Sequence, residues 1–252
     1  YNFQGERMMG ELVNIPWGQE KETTTTRREH PLGARGVTPD GRCFRWSFSG
    51  EAIGAGQLVM QKGAVANHDM DLATAAAASV GDTTITVTLG ATAATLNQYE
   101  DGAIYINDGA GEGHNYIIRS NPAADASASL VVTLHEKVRE ALTTGTSLSG
   151  LVEADYKDVE IYDANDIDGP ALGVAPTEVA NDSYFWLQTS GRACVLVQGT
   201  VVLGDAVEAS QTTDGAVCLH DVSANTDQAP VGVVAAIVAV DTDYGYINLQ
   251  ID

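Results

Sequence analysis

The chain is short of positive charge, of cysteine, of aromatics and of long apolar runs. It carries 13 basic residues against 34 acidic ones, a net charge of −21 over 252 residues. A phosphate backbone repels such a surface, which excludes nucleic acid as a partner, while the charge favours solubility. The three cysteines, Cys43, Cys194 and Cys218, are odd in number and far apart, so they form neither a disulfide framework nor a metal-ligand spacing. No apolar run exceeds the ten residues of Val231 to Val240, about half of the ~20 that a membrane span requires. That run is expected as a buried strand. Aromatics make up only 6% of the chain. What remains is rich in Ala, Gly, Thr and Val, which suits short strands and tight turns better than long helices.

The charge is divided unevenly. Residues 1–62 hold eight basic and seven acidic side chains, leaving five basic against 27 acidic for the rest. This split suggests a docking arm ahead of an acidic body. No secretory-signal pattern opens the sequence. Phe3-Gln4-Gly5 resembles the remnant of a protease-cleavage tag, and Tyr1–Gly5 are given no part in the fold.

Three adjacent aromatics, Tyr184, Phe185 and Trp186, stand in Ser183–Leu203. Period-two reading gives strands apolar on both faces, with Thr189-Ser190-Gly191 as a turn and Cys194 as a small core residue. A central hairpin is expected here. Before it, Thr83–Leu89 alternates cleanly, and Ala103–Asn107 and Asn115–Arg119 read as a hairpin closed by Asp108–His114. Asp71–Gly81, rich in alanine, reads as one helical turn or a linker.

These signals give an all-β fold of small β-barrel or sandwich units with an extended N-terminal arm. The arm is 1–34, the body 35–70 and 151–252, and the inserted module 71–150. The module's core is expected from Ile85, Val87, Leu89, Ile104, Ile106, Ile117, Val131 and Leu134. The arm lacks core periodicity. Its Ile15, Pro16 and Trp17 form one apolar anchor, and Arg27, Arg28 and Arg35 can pair with carboxylates. These six residues are the expected contacts to other chains, although the same charges would also favour the arm folding back on its own body.

No motif for chemistry stands out. Gly109-x-Gly111-x-Gly113 lacks the Lys-Ser/Thr ending of a phosphate loop. Asp163–Gly169 departs from a calcium loop, with Ile167 at the fifth position and the glycine one place late. The five histidines show no ligand spacing, and no Gly-x-Ser-x-Gly elbow occurs. Neither cofactor nor metal is expected, and an enzyme is the least favoured class.

Two sets of segments carry a resemblance. The first is Val-Gly-Asp-Thr-Thr-Ile-Thr-Val-Thr-Leu-Gly at 80–90, with Asn97-Gln98-Tyr99, Gly102 and Asn107–Gly113. The second is Tyr184–Thr189, Gly199-Thr200 and Gly245–Leu249. Together they resemble structural proteins of tailed bacteriophages, many from marine hosts, over roughly residues 80–252. The resemblance implies a virion component of the capsid decoration (cement) type on the capsid exterior. It also implies the major capsid protein and neighbouring copies in a homo-oligomer as partners, a trimer being one form. It brings no catalytic residue, no nucleic acid and no membrane. The alternative is a tail or fibre component whose β module holds a host glycan or protein.

Overall fold

The computed structural model describes residues 12–25, 30–167, 169–221 and 228–252. Two compact units emerge, residues 63–154 and the remainder. The inserted unit therefore starts eight residues before the alternating pattern suggested and ends four residues after it. The described residues are all-β, with a single 3-10 turn and no α-helix.

The larger unit begins with β1 (Val13–Asn14), the 3-10 turn Gln19–Lys21 and β2 (Thr23–Thr24). Then come β3 (Arg35–Val37), β4 (Cys43–Phe48) and β5 (Leu58–Met60). β1 runs parallel to β3, β3 pairs β4, and β2 pairs a strand on the far side of β4. Residues 12–25 thus form a strap reaching from one edge of this sheet to another. This corrects the expectation of an arm with little share in the core: Ile15 is 2% exposed and packs with Phe44, Trp46 and Trp186. A lone isoleucine in a polar stretch shows no periodicity, yet one buried side chain suffices to seat a short segment.

The inserted unit contains β6 (Leu72–Ala76), β7 (Thr84–Thr88), β8 (Ala103–Asp108), β9 (Asn115–Ser120), β10 (Ser129–Leu134) and β11 (Leu148–Val152). They close into a six-stranded barrel in the order β10-β7-β6-β11-β8-β9. The alanine-rich stretch holds the strand β6 rather than a helical turn or a linker. Leu72 and Thr74 point inward and Ala73 and Ala75 outward, and the strand pairs with both β7 and β11. Ile85, Val87, Leu89, Ile104, Ile106 and Leu134 line the core. Ile117 and Val131 do not: the buried residues of those strands are Tyr116 with Ile118, and Leu130 with Val132. A run apolar on both faces leaves its phase undetermined, and barrel closure selects it.

The larger unit resumes with β12 (Glu160–Ile161), β13 (Ala171–Val174), β14 (Tyr184–Val197), β15 (Ala206–Ala209), β16 (Val217–Leu219), β17 (Gly232–Ala236) and β18 (Asp243–Gln250). β14 replaces the expected central hairpin with one 14-residue strand. The Thr189-Ser190-Gly191 signal is a bulge: pairing to β4 shifts between Gln188 and Ser190, and Gly191 takes φ 83°. A bulge redirects a strand without reversing it, and glycine tolerates positive φ. Buried Gln188 donates from Nε2 to the carbonyls of Ser190 (3.2 Å) and Arg192 (3.0 Å), satisfying backbone groups beside the irregularity.

The two halves of β14 serve different cores. Residues 184–188 pair with β4, and Phe185 and Leu187 pack with Ile53, Val59 and Val179. Residues 190–197 pair with β18. Pairing continues through β17, β15 and β16 back to β14, closing a five-stranded ring around Val195, Val197, Val207, Val217, Val234 and Ile247. The Val231–Val240 run is not one strand; β17 stops at Ala236, and Val238 bridges separately to Val201. Cys194 is exposed on the outer face of β14 rather than buried.

Candidate docking groove

Three expected contact residues fall in the strap, and they divide. Ile15 is buried, whereas Pro16 is exposed and Trp17 is 62% exposed. Arg35 stands on β3 and donates from Nη2 to Cys43 Sγ at 3.5 Å. Arg27 and Arg28 lie outside the described residues. The structure therefore keeps Ile15 for the chain's own core and leaves Pro16 and Trp17 outside.

Arg42, on the turn before β4, holds the strap down. Its Nε pairs with Asp40 Oδ2 at 2.8 Å and its Nη2 with Glu20 Oε1 at 3.2 Å, while the guanidinium lies over Trp17 and Phe44 at 5.9 and 5.5 Å. Glu20 is 4% exposed and also accepts from the Gly18 N–H at 2.7 Å. Burial alone would raise its pKa; hydrogen bonds from its own N–H, Arg42 and Gly18 outweigh that and hold it below the ordinary 4.5. Asp40 is likewise held below its ordinary 3.8: hydrogen bonds from the Thr38 hydroxyl and Arg42 outweigh desolvation.

Beside this latch runs a groove of about 560 Å³ within the larger unit. Its floor is the outer face of β14 and β18, where Cys194 stands opposite Tyr246 and Leu196 opposite Tyr244. One wall is the 54–56 turn, tied down by Gly56 N–H to Ala175 O (2.8 Å) and Leu196 N–H to Gly56 O (2.9 Å). Gly56 is required here: its φ is 78°, and a Cβ would meet the Tyr244 ring at 2.7 Å. Tyr244 and Tyr246 are 51% and 44% exposed. Lys21, Arg42, Arg192, Glu178, Asp40 and Glu20 supply the polar lining. Lys21 and Arg192 make no side-chain hydrogen bond or ion pair among the described residues.

Sequence reasoning placed the interaction residues in the arm and passed over these tyrosines. The signal was present: Gly245, Ile247 and Leu249 alternate with Tyr244, Tyr246 and Asn248, so a buried inner face forces the tyrosines outward. In the inserted unit, by contrast, Tyr99 and Tyr116 are buried and Tyr105 is half-buried.

Two further features surround these elements. A smaller cavity of about 110 Å³ lies under the strap, against His30, Trp46 and Trp186. An apolar ridge forms where Val201 bridges Val238: the bridging pair is buried, while Val202, Leu203, Ile237 and Val240 are 55%, 69%, 64% and 62% exposed. Among the described residues, no cluster of His, Cys, Asp or Glu is arranged to hold a metal ion. Comparison of the chain with protein-family models, curated proteins and solved structures finds no match.

Proposed function

We propose that the chain is a virion structural protein that decorates and stabilises the outer surface of a tailed-phage capsid. The observation that carries this reading is the ridge of Val202, Leu203, Ile237 and Val240. Exposed aliphatic side chains on both segments of one bridge are what an interface leaves on an isolated chain. Asp205, Asp241 and Asp243 flank the ridge, and residues 199–205 and 236–244 contain no Lys or Arg. Such a surface suits a partner whose own apolar patch is bordered by basic residues. The major capsid protein is that partner in this reading, with neighbouring copies of the chain adding contacts. The resemblance of residues 80–252 to phage structural proteins supports the same conclusion.

The test is co-sedimentation of the purified chain with phage heads lacking it. Binding at a fixed number of copies per head, weakened at least tenfold by Leu203→Asp or Ile237→Asp with unchanged thermal melting, is the expected result. Heads that sediment free of the chain would overturn the reading. A second reading, a tail or fibre component that binds host glycan, is favoured by the exposed Tyr244 and Tyr246 of the groove.

A further inference from the structure

We infer that the groove between the 54–56 turn and the outer face of β14 and β18 is a binding site for an uncharged oligosaccharide. Tyr244 and Tyr246 are two residues apart on one strand and share one face, so both exposed rings point into the same groove. Paired aromatic faces of this kind stack against the C–H faces of pyranose rings, which are apolar above and below and polar around the edge. The volume of about 560 Å³ lies within the range of small-molecule sites.

The charges select the ligand class. Lys21, Arg42 and Arg192 are balanced by Glu20, Asp40 and Glu178, so the lining is neutral in a chain of net charge −21. An anionic or a cationic ligand therefore gains little net attraction there. A hydroxyl-rich neutral ligand can use both signs, accepting hydrogen bonds from Lys21 and Arg192 and donating to Glu178 and Asp40. The Arg42 latch fixes Asp40 and Glu20 before any ligand arrives, which limits the ordering that binding must impose.

A peptide fits less well. Extended peptides gain affinity by adding to an open sheet edge. Here β18 is paired on both sides, by β14 and β17, and the barrel half of β14 pairs with β18. On β18, the strand that carries both tyrosines, the groove floor thus offers side chains and no free ladder. The ligand is independent of whether the chain decorates a capsid, and head binding and sugar binding are measured separately.

The experiment titrates the full chain with maltohexaose, cellohexaose and the hexasaccharide of N-acetylglucosamine, following backbone amide shifts by NMR. Saturable shifts at Tyr244–Asn248 and Cys194 are expected with at least one of the three. Tyr246→Ala should weaken that binding by about tenfold or more, while Tyr246→Phe, which keeps the ring, stays within about threefold. Tyr246 is exposed, so unchanged thermal melting confirms that each variant is folded. Absence of saturable shifts with all three sugars overturns the inference, as does binding indifferent to Tyr246→Ala. If the unaltered chain gives flat sugar titrations while Tyr246→Ala changes its sedimentation or its capture by heads, the groove is a protein interface and the inference fails.

Discussion

Trp46 on β4 and Trp186 on β14 stand directly opposite one another, with ring centroids 5.0 Å apart and planes inclined by 63°. His30 closes against both, at 5.2 and 5.1 Å. Cross-strand aromatic pairs in this edge-on geometry contribute beyond the area they bury. Trp186 is 5% exposed, so truncating it leaves a cavity that the rigid sheet cannot close. Trp186→Ala should lower unfolding stability by about 3–5 kcal/mol, read as a fall in the denaturant midpoint at constant slope. An unchanged midpoint would place the ring outside the core.

The strap gives a sharper contrast because two residues only two positions apart differ completely. Ile15→Ala should cost about 2–5 kcal/mol, since it empties a seat against Phe44, Trp46 and Trp186. Trp17→Ala, at a position 62% exposed, should stay within about 0.5 kcal/mol. Equal effects would mean that the strap does not sit as described.

Glu20 and Asp40 bind the strap latch in their ionised forms, with folded-state pKa values below the ordinary 4.5 and 3.8. A depressed carboxylate pKa stabilises the fold fully above the unfolded-state value, and that contribution disappears as pH falls through the folded-state value. Thermal melting should therefore drop as pH falls below about 4. Glu20→Gln should lower melting at neutral pH and flatten the acid limb. A melting curve whose acid slope is the same in the variant would remove Glu20 from this role.

The thiols should separate by reactivity. Cys194 is exposed on β14, whereas Cys218 is half-buried and its pKa is pushed up to about 11, chiefly by desolvation and secondarily by Glu208. Thiolate is the reacting species, so alkylation by iodoacetamide in mildly alkaline buffer, followed by peptide mass spectrometry, should modify Cys194 well before Cys218. The reverse order would contradict the placement of β14's outer face.

In the inserted unit, Gly102 passes so close to the backbone of 152–154 that a Cβ would collide with the Val152 carbonyl oxygen. Backbone cannot yield as a side-chain tip can. Gly102→Ala should destabilise that barrel by about 1–3 kcal/mol, visible as weakened amide protection at Ile104 and Leu151. Unchanged protection would show that the barrel relaxes freely at this point.

The sequence alone carried the all-β class and most strands, because alternation such as Thr84–Thr88 depends only on which residues avoid water. It carried the core of the inserted barrel where one face was polar, as at Ile85 and Val87. It did not carry the phase of Ser129–Leu134 or Asn115–Ser120, where several neighbouring side chains are apolar and either face could turn inward. Local composition also misread Ser190-Gly191, since the residues that favour a turn equally permit a bulge, and only the partners β4 and β18 keep the strand running. The groove was decided at the tertiary level for the same reason. Glu20, Arg42, Arg192 and Tyr246 lie far apart in the chain, and no local pattern brings them together. The crossing strap, the bulge in β14 and the close approach of Gly56 to Tyr244 do so.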